Sequence, residues 1–242
     1  MAQFVLVHGS FHGPWCWERV TPLLLAAGHE VITPALADAA TRFQPGLHDY
    51  ARHVAAAVRR QAGPVVLVGH SMGGIVITQA AELVAHKISK LVYVTGLLLP
   101  VGESLQSFMR GHADVGVEDL VLKNMKLSAD GALASFPAQA AYEVFYNRCT
   151  LKDAAWAAGH LCDQPTAVYA TPIAVTAENF GSLPRAYIEC LDDVALSIKT
   201  QRRMTALTPC QQVVSVDADH SPFLSAPESL VSQLLMLASR SA

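Results

Sequence analysis

The chain has 242 residues, of which 52% are hydrophobic and 15% are charged, and its formal net charge is −3 at pH 7. This composition excludes a disordered chain, and the length allows one domain with a large buried core. The basic pairs Arg59-Arg60 and Arg202-Arg203 are isolated on amphipathic helices, so we expect no nucleic-acid partner. No apolar run reaches the roughly 18 residues of a membrane span, so we expect no membrane partner.

The cysteine and histidine patterns indicate neither a disulfide framework nor a metal site. The five cysteines are scattered without paired spacing, which is typical of free thiols in a reducing compartment. The first strand is predicted to begin at residue 3, which leaves no room for a signal peptide, so we expect a cytoplasmic location. His8 and His12 are four residues apart, but they lie in a glycine-containing loop without an acidic partner motif, and we expect neither a metal nor a cofactor.

Strands and helices are predicted to alternate through the first hundred residues. The predicted elements are a strand over 3–8, a helix near 16–27, a strand over 30–33, an amphipathic helix over 47–63, a strand over 64–68, a helix from 75 and a strand over 90–96. Such alternation predicts a mostly parallel, doubly wound sheet with helices on both faces.

The strand over 64–68 ends in the run Gly69–Gly74 (GHSMGG). A serine on a strand-to-helix hinge, with glycines two residues before and after it, is the pattern of a nucleophile elbow. The glycines remove Cβ atoms where the strand and helix backbones come close, and the helix start offers free N–H groups to a developing oxyanion. Taken alone, the run also fits a glycine-rich turn with an incidental serine.

The alternation stops after residue 98, and residues 99–183 are predicted to form a helical cap inserted after the sixth strand. Helical pieces are expected near 103–110, 137–147 and 150–159, with one strand over 172–176. The chain is therefore predicted to be a single domain with its core at 1–98 and 184–242. The candidate walls of an apolar substrate pocket are Phe11, Phe136, Phe145 and Trp156. Packing of these aromatics onto the core is the alternative.

The alternation resumes with a strand over 186–190, a helix near 195–206, a strand over 212–216 and a last helix from Ser225, where Ser225 and Glu228 form a capping-box pattern. The first of these strands leads to Asp192 and Asp193, and the second leads to His220. The order Ser71, Asp193, His220 is that of a hydrolase triad, with each residue just past the end of a strand. Asp192 is the alternative carboxylate, one residue nearer the strand.

These residues resemble the small α/β-hydrolases of the plant methylesterase and hydroxynitrile lyase group and their bacterial carboxylesterase relatives. The resemblance rests on residues 4–17, 69–74, 180–182, 187–193 and 219–220, and it covers the core but the cap only loosely. It implies an α/β-hydrolase fold, the triad Ser71, Asp193 and His220, and oxyanion-hole amides on Ser10 and Met72. We expect a small-molecule ester as the partner, and a homodimer as the alternative to a monomer.

Two positions depart from the lyases of this group, which carry a threonine directly after the first loop histidine and a lysine directly after the catalytic histidine. Here these positions are Gly9 and Ser221, so the groups that would hold a cyanohydrin are missing. We therefore expect a serine carboxylesterase that hydrolyses small to medium apolar esters through an acyl-enzyme. The alternatives are a hydroxynitrile lyase or other C–C lyase on the same triad, and a receptor of this fold that binds a small molecule.

Overall fold

The structure is a computed structural model that describes residues 1–36, 45–112 and 118–239. The elements of the first part are β1 (Gln3–Val7), α1 (Val20–Ala26), β2 (Glu30–Ile32), α2 (Leu47–Arg59), β3 (Val65–His70), α3 (Gly73–Val84) and β4 (Ile88–Val94). Those of the insertion are α4 (Leu105–His112), α5 (Leu120–Asn124), β5 (Lys126–Leu127), β6 (Leu133–Ser135), α6 (Ala138–Phe145), α7 (Leu151–Ala158), β7 (Gln164–Pro165) and α8 (Ala167–Ala170). The last part holds β8 (Arg185–Cys190), α9 (Ile198–Leu207), β9 (Gln212–Val216), α10 (Pro222–Ser225) and α11 (Pro227–Ser239).

Six of the described strands form one sheet in the order β2-β1-β3-β4-β8-β9, and every neighbouring pair is parallel. From β1 the chain first adds β2 on one side and then returns to add β3, β4, β8 and β9 on the other. The order therefore reverses between β1 and β3, and the loops that leave the carboxyl ends of these two strands diverge there. Open parallel sheets bind ligands at such a point.

The central strands β1, β3, β4 and β8 are largely buried on both faces because their alternate side chains enter two separate hydrophobic cores. Val5 and Leu67 point into the core that holds the apolar faces of α2 and α3. Phe4 and Leu6 point into the opposite core, which α1 and α11 cover. This period-2 alternation confirms the predicted sheet with helices on both faces.

The insertion between β4 and β8 differs from the prediction in three respects. It follows the fourth described strand, not a sixth. It contains a three-stranded antiparallel sheet, β5-β6-β7, whose strands of two or three residues are too short to show an alternating pattern. The strand predicted over 172–176 does not form, because side chains of α3 take up its backbone groups: Gln79 bonds both the N–H and the C=O of Ala174, and Glu82 accepts from the N–H of Thr176.

Two predicted helices begin or divide differently in the structure. The helix predicted near 16–27 is a short 3-10 turn, Pro14–Trp17, followed by α1. The last helix begins at Pro227, and the capping box from Ser225 does not form because the Ser225 hydroxyl donates to Asp219 Oδ1 at 2.7 Å. No helix in the described ranges is long and apolar enough to cross a membrane.

Candidate active site

Ser71 occupies the turn between β3 and α3 in a strained backbone conformation. Its φ is 51°, in the left-handed region that a side chain with a Cβ enters only at a cost. The turn is held by its own peptide groups: the Ser71 N–H donates to the Val94 carbonyl at 3.3 Å, and the Ser71 carbonyl accepts from the N–H groups of Gly74 and Leu97, both at 2.9 Å. Among the described residues the Ser71 hydroxyl has no hydrogen-bond partner, so it is free to meet a ligand.

The glycines around Ser71 are required by the close approach of neighbouring backbones. A Cβ on Gly69 would lie 2.6 Å from the Gly73 carbonyl oxygen, and a Cβ on Gly73 would lie 2.6 Å from the Val7 carbonyl oxygen. Both distances are shorter than a carbon–oxygen contact allows. The sharp turn that exposes Ser71 therefore depends on residues without side chains at these positions.

His220 and Asp193 form a buried hydrogen-bonded pair beside this turn. His220 Nδ1 lies 2.7 Å from Asp193 Oδ2, and the aspartate side chain is fully buried. The other carboxylate oxygen, Oδ1, accepts from the N–H groups of Ala195 and Leu196, both at 2.8 Å. These bonds offset the cost of burying a carboxylate and hold it in one orientation.

The structure brings Asp193, and not its neighbour Asp192, to the histidine. Asp192 lies at the surface, where its carboxylate pairs with Arg148 at 2.6 Å. Sequence reasoning missed Thr95, a buried residue that donates through Oγ1 to Asp193 Oδ2 at 2.5 Å. The available signal was its place at the carboxyl end of a predicted strand, where polar side chains meet the site.

The two amides predicted for an oxyanion hole are both free of protein acceptors. Neither the Ser10 N–H nor the Met72 N–H donates a hydrogen bond within the described parts of the chain. Met72 directly precedes α3, so its amide lies at the positive end of that helix. Ser10 follows β1, the neighbour of β3 in the sheet. Unpaired N–H groups at this edge suit an oxygen that gains negative charge.

His8 orients the loop that carries the Ser10 amide. Burial lowers the pKa of His8 to about 4, so the ring is neutral near pH 7 and has one donor and one acceptor nitrogen. His8 Nδ1 donates to the Gly9 carbonyl at 2.9 Å, and the Leu36 N–H donates to Nε2 at 3.1 Å. The Gly9 carbonyl belongs to the same peptide group as the Ser10 N–H, so this bond sets the direction of that amide.

His12 holds the next peptide group in the same way. Burial lowers its pKa to about 3, His12 Nδ1 donates to the Ser10 carbonyl at 2.7 Å, and the Tyr146 hydroxyl donates to Nε2 at 3.0 Å. Both ring nitrogens are thus occupied by the protein. Within the described ranges, no three His, Cys, Asp or Glu side chains are grouped so that they could hold a metal ion.

A cavity of about 380 Å³ exposes Ser71 and His220 to the same space. Its other polar groups include the hydroxyls of Ser10 and Tyr169. Gln106, Arg110 and Asp119 also line it. The wall is nevertheless largely apolar, and its aliphatic part comes from both core and insertion: Leu97, Leu105, Met109, Val121, Leu122, Met125, Ala195 and Leu196. Pockets with an apolar wall and few polar groups are suited to small apolar ligands.

Two of the four predicted pocket aromatics line this cavity, and two do not. Phe11 and Phe145 form part of its wall. Phe136 is not in the wall; it is buried and packs against Phe145 with the ring centroids 4.4 Å apart. Trp156 is half-exposed on the outside of the insertion and packs against the Trp15 ring at 5.4 Å.

The aliphatic residues of the wall were missed by sequence reasoning. Leu105 and Met109 are four residues apart on α4, so their spacing could have indicated that they share one face. Which way that face points is decided by the packing of the insertion on the core.

Comparisons with known proteins find relatives and solved structures that match nearly the whole chain. Residues 4–233 match the family described as "Alpha/beta hydrolase family". Methylesterase 7 of Arabidopsis thaliana is 32% identical over 253 residues, which cover 98% of this chain and 96% of that protein. A pyrethroid hydrolase of Sphingobium wenxiniae is 31% identical over 243 residues, which cover 95% of this chain and 85% of that protein. The crystal structure of a pyrethroid hydrolase from Sphingobium faniae JZ-2 superposes with a TM-score of 0.88 at 29% identity. The superposition covers 98% of this chain and 97% of that one.

Proposed function

Because the chain belongs to the alpha/beta hydrolase family, we propose that it is a serine carboxylesterase that hydrolyses small to medium apolar esters through an acyl-enzyme. One observation carries the proposal: a largely apolar cavity exposes Ser71 and His220 together, while Asp193 binds the far nitrogen of the histidine. The names of two relatives, methylesterase and pyrethroid hydrolase, support an ester as the substrate.

In the first half of the reaction, Ser71 Oγ attacks the carbonyl carbon of the ester. The new carbon–oxygen bond forms as the Oγ proton passes to His220 Nε2 and the carbonyl electron pair moves to the oxygen. Asp193 keeps the His220 ring in the correct tautomer and stabilises the imidazolium. The N–H groups of Ser10 and Met72 donate to the oxyanion, and each such donor is typically worth a few kcal/mol in the transition state.

In the second half, the intermediate collapses and the bond to the leaving alcohol breaks. His220 returns its proton to the alcohol oxygen, which leaves an acyl group on Ser71. Water then repeats the sequence with His220 as the base, and it releases the carboxylic acid and the free serine. In this scheme the chain's own residues supply every proton transfer, so no cofactor takes part.

Two positions favour hydrolysis over the lyase alternative. A Cβ on Gly9 would lie 2.7 Å from the Ser71 Cβ, so the loop as folded has no room for a threonine side chain there. Ser221 is fully buried and does not line the cavity, so this position presents no cation to a departing cyanide. The groups that a cyanohydrin would need are therefore missing from both places.

The proposal is tested by removing the nucleophile. Ser71→Ala is expected to lower turnover of p-nitrophenyl butyrate by about 10⁴-fold or more and to abolish labelling by a fluorophosphonate, because only binding and the oxyanion hole remain. Ser182→Ala, whose hydroxyl bonds the Asn179 carbonyl at the surface, is the control and should behave as wild type.

Three results would contradict the proposal. Activity of folded Ser71→Ala at the wild-type level would reject the nucleophile. Cyanide release from mandelonitrile without ester hydrolysis would favour the lyase. Ligand binding by a protein that neither turns over esters nor reacts with the fluorophosphonate would favour the receptor.

The proposal extends to location and assembly. All five cysteines are free thiols, and three of them are buried, which supports a reducing compartment such as the cytoplasm. The homodimer remains a prediction, and sedimentation of the purified protein at several concentrations would test it.

A further inference from the structure

One polar pair in the apolar cavity has no role in the mechanism above. Tyr169, on α8 of the insertion, donates its hydroxyl proton to Ser10 Oγ at 2.8 Å. Both residues line the cavity beside Ser71. Burial raises the pKa of Tyr169 above its ordinary value, so the phenol keeps its proton and remains a donor. The pair joins the insertion to the loop that carries one of the oxyanion amides.

The bond from Tyr169 leaves the proton of Ser10 unused. A serine hydroxyl can donate one hydrogen bond and accept two. Tyr169 occupies one acceptor position of Ser10 Oγ, and the Ser10 hydroxyl donates to none of the described residues. The same residue carries an amide N–H that also lacks an acceptor. Donors without partners in an apolar cavity cost free energy unless a ligand accepts from them.

We propose that the Ser10 hydroxyl is a third hydrogen-bond donor to the oxyanion and that Tyr169 is the positioning residue that orients it. The inference rests on the proposed esterase function. As the bond between Ser71 Oγ and the ester carbon forms, charge builds on the former carbonyl oxygen, and the Ser10 hydroxyl donates to it without giving up its proton. The bond from Tyr169 holds the Ser10 side chain in one orientation and polarises its O–H group, which makes it a stronger donor.

This arrangement makes the oxyanion hole depend on both parts of the chain. The amides of Ser10 and Met72 come from the core, whereas the orientation of the third donor comes from Tyr169 in the insertion. A shift of α8 away from the loop would leave the two amides in place and release the hydroxyl. The third donor is therefore complete only when the insertion is seated on the core.

The test compares Ser10→Ala, Tyr169→Phe and the double variant. Ser10→Ala is expected to lower kcat by roughly 10- to 100-fold with little change in KM, since the lost bond forms mainly in the transition state and two donors remain. Tyr169→Phe should lower kcat by a smaller factor. In the Ser10→Ala background Tyr169→Phe should have no further effect, because it acts only through the missing hydroxyl. Tyr142→Phe, at an exposed tyrosine outside the cavity, is the matched control.

A transition-state analogue separates this role from a purely structural one. Phenylboronic acid forms a tetrahedral adduct with a reactive serine, and its affinity should fall in Ser10→Ala by the same factor as kcat/KM. If the pair only fastens the insertion, both variants would raise KM and lower Tm while kcat and boronate affinity stay unchanged, and that result would overturn the inference. Additive effects in the double variant would overturn it as well. A wild-type protein without Ser71-dependent hydrolysis would instead reject the proposed function itself.

Discussion

At the residue scale, the two oxygens of Asp193 have different partners, and this division explains how one carboxylate can orient a catalytic base. Oδ1 is held by the backbone N–H groups of Ala195 and Leu196, and Oδ2 receives His220 Nδ1 and the Thr95 hydroxyl. The backbone bonds fix the plane of the carboxylate. The histidine ring therefore meets an acceptor whose position does not depend on solvent.

The adjacent aspartates provide a matched pair of variants. Asp193→Asn is expected to lower kcat by about 10⁴-fold, because an amide can present a donor to Nδ1 and favour the wrong histidine tautomer. Asp192→Asn makes the same chemical change one residue away and should cost little, since the exposed pair with Arg148 contributes less than about 1 kcal/mol. Steady-state kinetics on one ester would show it. The reverse order of effects would contradict the assignment of Asp193.

A second prediction at this scale concerns His8, whose Nδ1 donates a hydrogen bond and whose Nε2 accepts one. His8→Asn places an amide donor near the Nδ1 position and loses the acceptor for the Leu36 N–H, whereas His8→Gln reaches the Nε2 position and loses the donor to the Gly9 carbonyl. If His8 orients the Ser10 amide, Asn should keep most of kcat and Gln should lose roughly 10- to 100-fold. Both should lower Tm, so equal kcat losses would show a structural role only.

At the element scale, the features that the sequence predicts well are those decided by neighbouring residues. The β-branched run over 64–68 and the glycines after it predict β3, its sharp turn and the start of α3, because both depend on local backbone requirements. The chain order of Ser71, Asp193 and His220 then places three side chains past the ends of strands that prove to be parallel.

The elements that the sequence does not predict depend on contacts between distant parts of the chain. Residues 172–176 are apolar and β-branched like a strand, yet Gln79 and Glu82 of α3, about 95 residues earlier, satisfy their backbone. The wall of the cavity is more aliphatic than aromatic, because the rotation of α4 and α5 about their axes decides which side chains face Ser71. Local patterns carry no information about that rotation.

The third prediction follows from the face that α4 presents. Met109→Ala is expected to change the preference between short and long acyl chains by roughly 10- to 200-fold, because one apolar contact in a pocket contributes about 1 to 3 kcal/mol. Hydrolysis of an acetate ester should be largely unaffected. Trp156→Ala removes a larger side chain from the outside of the same insertion and should leave the chain-length profile unchanged. Identical profiles for the two variants would show that α4 does not set chain-length selectivity.

At the scale of the whole molecule, a group of buried histidines under the active site links its geometry to the stability of the fold. His12 and His70 lie with their ring centroids 5.8 Å apart, and His70 Nε2 donates to the His220 carbonyl at 2.7 Å. Burial lowers the pKa of His8 to about 4, that of His12 to about 3, and that of His70 well below its ordinary value. His8 and His12 are neutral in the folded state because each uses one ring nitrogen as a donor and the other as an acceptor, in a buried site. His70 is neutral because a charge on its buried ring would not be solvated.

These shifts predict that the fold loses stability as the solution is acidified from about pH 6.5 toward pH 4. In the unfolded chain the three histidines have pKa values near 6.5, so in this window the unfolded state binds more protons than the folded state. The free energy of unfolding therefore decreases as the pH is lowered. Well above pH 6.5 both states are neutral at these residues and the contribution vanishes. Each histidine adds at most about 1.4 kcal/mol per pH unit to the slope.

Urea unfolding between pH 7 and pH 5 would measure the slope. His12→Asn keeps a donor toward the Ser10 carbonyl but removes one titrating ring, so it should make the slope shallower. Two results would contradict the role assigned to these histidines. One is a wild-type free energy of unfolding that stays constant or increases as the pH is lowered from 7 to 5, and the other is a slope that His12→Asn leaves unchanged.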